Sequence, residues 1–479
     1  MGSQPQPLHV LIVSFAGQGH INPLLRLAKR IASKGLLVTF TSTQDIGRRI
    51  QTSIKQSPDQ DVGEPIPVGL GHLRFQFFDD GWDDSDSRRY DILQYMPHLE
   101  TVGRPALTDL IKNQAEMDRP VSCVINNPFM PWGLDVSDAL KIPSAILWIQ
   151  SCIVFSTYYH YHHSLCDFPT HDHPEREVTL PGLPSMSADD IPTFLLPTNP
   201  YTTLTDAILA QFKNLEKAEW VLMNTFEELE REAIQAVAKM AKVVTVGPLI
   251  DMVEEGEERA RVRADLWKAA VECTEWLDAR EARSVVYVSV GSIAVLGKEE
   301  MEEMARGLRG SGKPFLWVVR ENNMGLLPEG FVEEAAEQGM VINWSPQDQV
   351  LAHPSTGCFL THCGWNSTLE TLAYGVPVIA FPQFGDQYPD AKFLVDVYKV
   401  GVRLWRGKSG LINRDDVEGC VREVLEGPKA EEIRENALKW KEIAGKAVAS
   451  GGSSDKNLEA FIDGIQGFGG LGPTGGKGA

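Results

Sequence analysis

Short apolar runs, nearly continuous in valine, isoleucine and leucine, punctuate this chain at intervals filled by helix-spaced stretches. They include Leu8–Phe15, Leu36–Ser42, Leu73–Phe78, Cys123–Asn126, Ser144–Ile149, Val221–Thr225 and Val243–Val246. A second series follows at Val285–Val290, Phe315–Val319, Val341–Trp344, Cys358–Thr361 and Pro377–Phe381. Strands without polar alternation are buried on both faces, as in parallel sheets sandwiched between helices. Segments such as Pro23–Lys34 and Lys298–Arg309 supply helical spacing between the runs. The order is β-α-β-α twice over, and 479 residues exceed one ordinary core. The expected fold class is α/β, with two facing Rossmann-like domains, parallel sheets and an interdomain cleft. The predicted division is 1–245, an acidic linker region 246–275 around the Glu- and Arg-rich stretch Asp251–Asp265, and 276–455. A closing helix over 456–466 is expected to pack back on the first domain, ahead of a disordered Gly-rich tail, 467–479. In open α/β sheets ligands sit beyond the strand C-termini. Residues just after strands are therefore the candidates.

The net charge of −20 excludes a nucleic-acid partner, which needs a basic face, and disfavours anionic lipid. Seven scattered cysteines without a C-x-x-C pair fit reduced thiols in the cytosol. The start lacks a basic leader, and Val10–Phe15 is too short to span a bilayer. A cytoplasmic monomer without stable membrane insertion is the expectation. A chain this acidic can hold a diphosphate only by local devices, such as helix N-termini.

The segment WSPQDQVLAHPSTGCFLTHCGWNSTLETLAYGVPVIAFPQFGDQ, from Trp344 to Gln387, is the most informative in the chain. Trp344 closes a predicted strand, where an indole can stack on a flat base. The run Cys358–Thr361 leads into His362, Cys363, Gly364, Trp365, Asn366 and Ser367, and a helix is expected from Ser367 or Thr368. Gly364 permits close backbone approach, and the helix N-terminus offers N–H groups to an anion. Ser367 and Glu370 also fit an S-x-x-E capping box that would only start the helix. On these residues alone, both readings stand.

The whole segment resembles the signature box of the plant secondary-product UDP-glycosyltransferases, and the likeness extends from GQGHINP at the front to the closing helices. The resemblance implies a GT-B-type fold, an acceptor-binding first domain, a UDP-sugar-binding second domain, and UDP-glucose as co-substrate with no separate cofactor or metal. Residues matching His362, Asn366 and Ser367, with Gly364, contact the phosphates in that family. Those matching Gln347 and Glu370 bind ribose, the backbone at Ser345 reads uracil, and those matching Trp365, Asp386 and Gln387 hold the sugar. Gly19 and the Gly291-Ser292 turn belong to the donor site by the same likeness; on its own residues the latter is equally a plain turn.

His20 follows the first strand, and Asn22-Pro23 is expected to open the first helix. By resemblance His20 is the catalytic base. Most relatives hold this histidine with an aspartate in an Asp-x-Phe stretch after a later strand. Here the matching stretch is Asn127-Pro128-Phe129, so an amide stands in the carboxylate's place. In a serine protease such a change costs about 10⁴ in rate. An alcohol or phenol acceptor needs the base. A carboxylic acid, with a pKa of about 4–5, is already ionised. The stretches Asn126–Trp132 and Leu147–Cys152 also resemble the branch that makes glucose esters of aromatic acids. The expected activity is inverting formation of 1-O-β-glucose esters of benzoate, hydroxycinnamate or indole-type acids. Glucosylation of a flavonoid, terpenoid or phytohormone hydroxyl is the alternative.

Phe129, Trp132, Phe155 and Tyr158, with Tyr159 and Leu196, are candidate acceptor-pocket residues, each read more readily as ordinary core. The tract Tyr159–His163 reads as a polar helix face, and Asp84-Ser85-Asp86 as part of an acidic loop. Gly307–Lys313 lacks the strand-to-helix context and the Ser or Thr of a P-loop. The Asn127→Asp variant is expected to retain glucose-ester formation from an aromatic acid, checked by mass analysis of the product.

Overall fold

The computed structural model describes residues 7–54, 64–251, 271–291 and 295–469. Eight strands build the first sheet: β1 (His9–Val13), β2 (Leu37–Thr41), β3 (Ile66–Val68), β4 (Gly71–Phe75), β5 (Cys123–Asn126), β6 (Ser144–Trp148), β7 (Trp220–Met223) and β8 (Val243–Thr245). Six build the second: β9 (Val285–Ser289), β10 (Phe315–Val318), β11 (Gly339–Ile342), β12 (Thr356–Thr361), β13 (Val378–Ala380) and β14 (Gly401–Arg403). All pairs are parallel except β3–β4. Most strands are buried along their whole length, which explains their unbroken apolar character.

Strand order decides where each sheet has a crevice. The first runs β3-β4-β2-β1-β5-β6-β7-β8, and the second β11-β10-β9-β12-β13-β14. The chain moves outward in one direction from β1 and in the other from β5. The same reversal falls between β9 and β12. Connections diverge at such switch points, leaving a crevice beyond the strand ends. The register Val13↔Asn126 sets the ends of β1 and β5 side by side, and Thr361↔Ser289 does so for β12 and β9.

Two strands escaped the sequence reading. β3 is a three-residue Ile-Pro-Val edge, and β14 is Gly-Val-Arg. Neither carries an apolar run, and proline is tolerated only at such an edge. Two helix starts also differ from expectation. The first helix is Gln18–Ser33, with Pro23 inside it, so His20 lies in a helical first turn rather than in a loop. Gly17 in extended conformation starts it, its carbonyl accepting the N–H groups of His20 and Ile21. The helix after β12 is Trp365–Tyr374, begun by Gly364 rather than by Ser367.

The C-terminal helix runs Ser453–Gly469, longer at both ends than 456–466, so Gly467–Gly469 of the expected tail are helical. The remainder of that tail, and 252–270 of the acidic linker, lie outside the described residues. Leu458, Phe461 and Ile465 sit in the same apolar core as β1, β2 and the helix Gln18–Ser33. Phe461 meets Trp220 edge-on at 5.2 Å, and Lys34 pairs with Asp455 at 2.7 Å. The last helix thus returns from the second sheet's lobe to the first. Among the described residues no helix is long and apolar enough to cross a membrane. Phe461→Ala is expected to remove about 3–5 kcal/mol of stability, read as an earlier urea transition of the first lobe.

Candidate active site

At the first switch point, Asn127 follows β5 directly, and its N–H donates to the Val13 carbonyl of β1 at 3.0 Å. This sets its side chain under the first turn of the helix Gln18–Ser33. His20 Nδ1 lies 3.2 Å from Asn127 Oδ1 and 3.0 Å from its Nδ2. Oδ1 also accepts the Phe129 N–H at 3.0 Å. The imidazole is flanked edge-on by Phe129 at 4.8 Å and Phe15 at 5.1 Å. Burial among these rings lowers its pKa to about 4.

At the second switch point, His362 follows β12 and Gly291 follows β9. A Cβ on Gly291 would stand 2.7 Å from His362 Nε2, and one on Gly364 only 2.5 Å away. The imidazole therefore fills the space that two missing side chains leave. Gly291 also has φ of +86°, which suits glycine alone. Burial lowers the His362 pKa to about 4, and its Nδ1 is buried without a partner among the described residues. The next residues form the first turn of the helix Trp365–Tyr374, where backbone N–H groups lack intrahelical acceptors.

The capping-box reading of Ser367 and Glu370 does not hold, because Gly364 occupies the cap. Their side chains face a polar chain instead. Gln347 Nε2 donates to Ser367 Oγ at 2.9 Å and to Glu370 Oε2 at 2.8 Å. Tyr287 of β9 donates to Gln347 Oε1 at 3.3 Å and contacts Ser345 Oγ at 2.9 Å. Arg26, from the first lobe, donates to Glu370 Oε1 at 3.0 Å and to Asp251 at 3.1 Å. Burial raises the Glu370 pKa, against the pull of Arg26 and Gln347. Neither Tyr287 nor Arg26 was singled out from sequence. A tyrosine inside a strand and an arginine on an amphipathic helix give no local signal; only the fold reveals their partners, in the same lobe for Tyr287 and across the lobes for Arg26.

The two switch points touch. Asn366 Nδ2 donates to the Gly19 carbonyl at 2.9 Å. That carbonyl is available because its usual helical donor, four residues on, would be Pro23, which has no N–H. The Trp365 indole N–H donates to the Asn224 carbonyl at 2.7 Å, so its side chain ties the lobes together. Ser151 donates to Asp390 at 2.9 Å across the same gap.

Gln387 is buried, with Oε1 accepting the N–H groups of Gln383 and Phe384 at 2.8 and 3.2 Å. This fixes the amide so that its NH₂ is the group left for a ligand. Neighbouring Asp386 is hydrogen-bonded by Gln150, and burial raises its pKa. Trp344 is buried two residues beyond β11 instead of closing it. Ser345 is also buried. Ser292 lies outside the described residues.

Of the acceptor candidates, Phe129 is the one set against His20. Trp132 covers Gly103 in the core, and Phe155 is packed between Trp148 and Phe212 at 5.0 and 5.2 Å. Tyr158 is fully buried, its hydroxyl without a partner among the described residues, within the field of Asp386 and Asp390. Tyr159 meets Phe155 and His163, and Leu196 is half-buried beside that core. The tract Tyr159–His163 is not wholly a polar face, since His160 is buried and bonded to the Ser156 carbonyl. Asp84 pairs with Arg48 and Asp86 with Arg88. Among the described residues no group of three or more His, Cys, Asp or Glu is placed to hold a metal.

Comparison with known proteins places this geometry. Residues 6–251 match the glycosyltransferase N-terminal domain family, and residues 248–444 match the family described as UDP-glucoronosyl and UDP-glucosyl transferase. A gallate 1-beta-glucosyltransferase of Punica granatum is 52% identical over 97% of this chain and 92% of its own. The chain belongs to the plant UDP-glycosyltransferase family. A cinnamate beta-D-glucosyltransferase of Fragaria ananassa is 48% identical over 97% of this chain and 84% of its own. Among solved structures, that of Os79 from O. sativa in complex with UDP superposes with a TM-score of 0.84 at 32% identity, over 95% of this chain and all of that one. Two α/β lobes with parallel sheets, expected from the apolar runs, are the GT-B architecture of these UDP-glycosyltransferases.

Gly291→Ala is expected to push the His362 ring from its slot and weaken UDP binding at least about tenfold, or about 1.4 kcal/mol. Titration calorimetry with UDP measures this, and an unchanged circular dichroism spectrum separates it from unfolding.

Proposed function

We propose that this enzyme is an inverting UDP-glucose-dependent glucosyltransferase that forms 1-O-β-glucose esters of small aromatic carboxylic acids. The observation that carries the reading is Asn127 against His20 Nδ1, where a charged partner would serve a base. A neutral amide gives the imidazole no charge to stabilise a captured proton, so the site suits a nucleophile that arrives ionised. The gallate and cinnamate relatives, whose names denote transfer to carboxylic acids, support the same assignment.

In this reading the donor lies along the second switch point. The indole of Trp344 and the backbone at Ser345 receive the uracil, and Gln347 and Glu370 the ribose. His362, Asn366, Ser367 and the N–H groups of the first turn after Gly364 receive the diphosphate, where the helix N-terminus favours negative charge. Gly19 adjoins that group. Asp386 and the NH₂ of Gln387 bind glucose hydroxyls, with the backbone of Trp365 beside them. The acceptor's ring lies against Phe129 and its carboxylate toward His20. A carboxylate oxygen attacks the anomeric carbon on the face opposite UDP; the bond from that carbon to the phosphate oxygen breaks, and its electrons leave with UDP. Configuration inverts from α to β. UDP-glucose is the co-substrate, and a monomer in the cytosol, divided at 1–245 and 276–455, completes the proposal.

Purified enzyme with UDP-glucose and matched aromatic acids and phenols should convert the acids at least about tenfold more efficiently. The products should release glucose in mild alkali, as esters do. Alkali-stable products and equal rates on phenols would establish hydroxyl transfer instead.

A further inference from the structure

Asn127 is fully buried, so each polar atom of its amide must find a partner inside the protein. The Phe129 N–H donates to Oδ1, which settles which end of the amide is oxygen. The amide nitrogen then faces His20 Nδ1 at 3.0 Å and has no other acceptor among the described residues. Were Nδ1 protonated, it would donate to Oδ1 at 3.2 Å, which already accepts from Phe129, and the buried NH₂ would be left unsatisfied. With Nδ1 bare, it accepts from Nδ2, and every polar atom of the amide is bonded. A carboxylate in the same place has only acceptors and would demand the opposite arrangement.

We infer that His20 carries its proton on Nε2, and that Asn127 is the positioning residue that sets this tautomer. The inference rests on the ester-forming reading for its use, though not for its geometry. Burial keeps the ring neutral at working pH, so a single proton is shared between its two nitrogens. Nε2, the nitrogen not held by Asn127, is then a hydrogen-bond donor. It binds and orients an acceptor carboxylate, whose other oxygen forms the new bond to the anomeric carbon while the phosphate oxygen leaves with its electron pair. No proton changes hands. A phenol must lose a proton, and the position that would receive it is already filled. Specificity for acids over hydroxyls thus follows from one side-chain amide acting through a histidine.

The test uses full-length enzyme with ¹⁵N-labelled histidine and long-range proton–nitrogen correlation, the His20 signals being those lost in His20→Gln. Expected is a pyrrole-type nitrogen at Nε2 and a pyridine-type nitrogen at Nδ1 in the wild type, with the assignment reversed in Asn127→Asp. The aspartate variant should also gain phenol glucosylation by about 10²-fold. It should show a pH limb between about pH 6 and pH 8 that the wild type lacks with acids, since a carboxylate raises the imidazole pKa. A proton on Nδ1 in the wild type overturns the inference. The expected tautomer in an enzyme that makes only alkali-stable glucosides supports the assignment while removing the ester-forming role.

Discussion

One missing N–H holds the two halves of this active site in register. Pro23 leaves the Gly19 carbonyl without its helical donor, and Asn366 of the other lobe supplies the replacement. The bond joins the turn that carries His20 to the first turn of the helix Trp365–Tyr374, whose N–H groups are proposed to face the phosphates. Reacting groups in a transferase must meet within a few tenths of an ångström, and orientation is a large share of the rate. Ordinary helix geometry at residue 23 would satisfy Gly19 internally and remove the reason for the contact. The Trp365 indole and the Ser151 hydroxyl reinforce the alignment from either side.

The proposed ribose end is organised by a different kind of force. Glu370 is a buried carboxylate that Arg26 and Gln347 hold by charge and hydrogen bonds. Desolvation makes such a group costly unless partnered. Its partners come from both lobes, so the charge balance of the pocket is itself an interdomain property. The donor site therefore cannot be attributed wholly to the C-terminal half, although nearly all of the recognisable signature lies there.

Legibility in the sequence followed the range of the forces involved. Apolar runs report burial on both faces, which is local to each strand, so the parallel α/β architecture and most strand positions could be read directly. The edge strands Ile66–Val68 and Gly401–Arg403 bury too little to leave such a trace. Helix starts were misplaced by several residues at Gln18 and Trp365, because both are begun by glycine in extended conformation rather than by a side-chain cap. Capping signals favour serine, threonine, aspartate and asparagine, and Ser367 drew attention for that reason. The contact of His20 with Asn127 was legible through the family resemblance. Arg26, Tyr287 and Asn224 were not, since each acts through partners far away in the chain. The aromatic acceptor candidates divided for the same reason: their composition is equal, and only packing distinguishes Phe129 from Phe155.

The polypeptide passes between the lobes once after β8 and again when the terminal helix returns to lie against Trp220 and β8. Two bodies joined by a single tether can slide, twist and part. Here the two passages lie side by side, the Ser454 hydroxyl donating to the Gly247 carbonyl, so the lobes share one paired seam. A paired seam resists twisting better than one strand would, and the terminal helix, remote from the chemistry, supplies half of it.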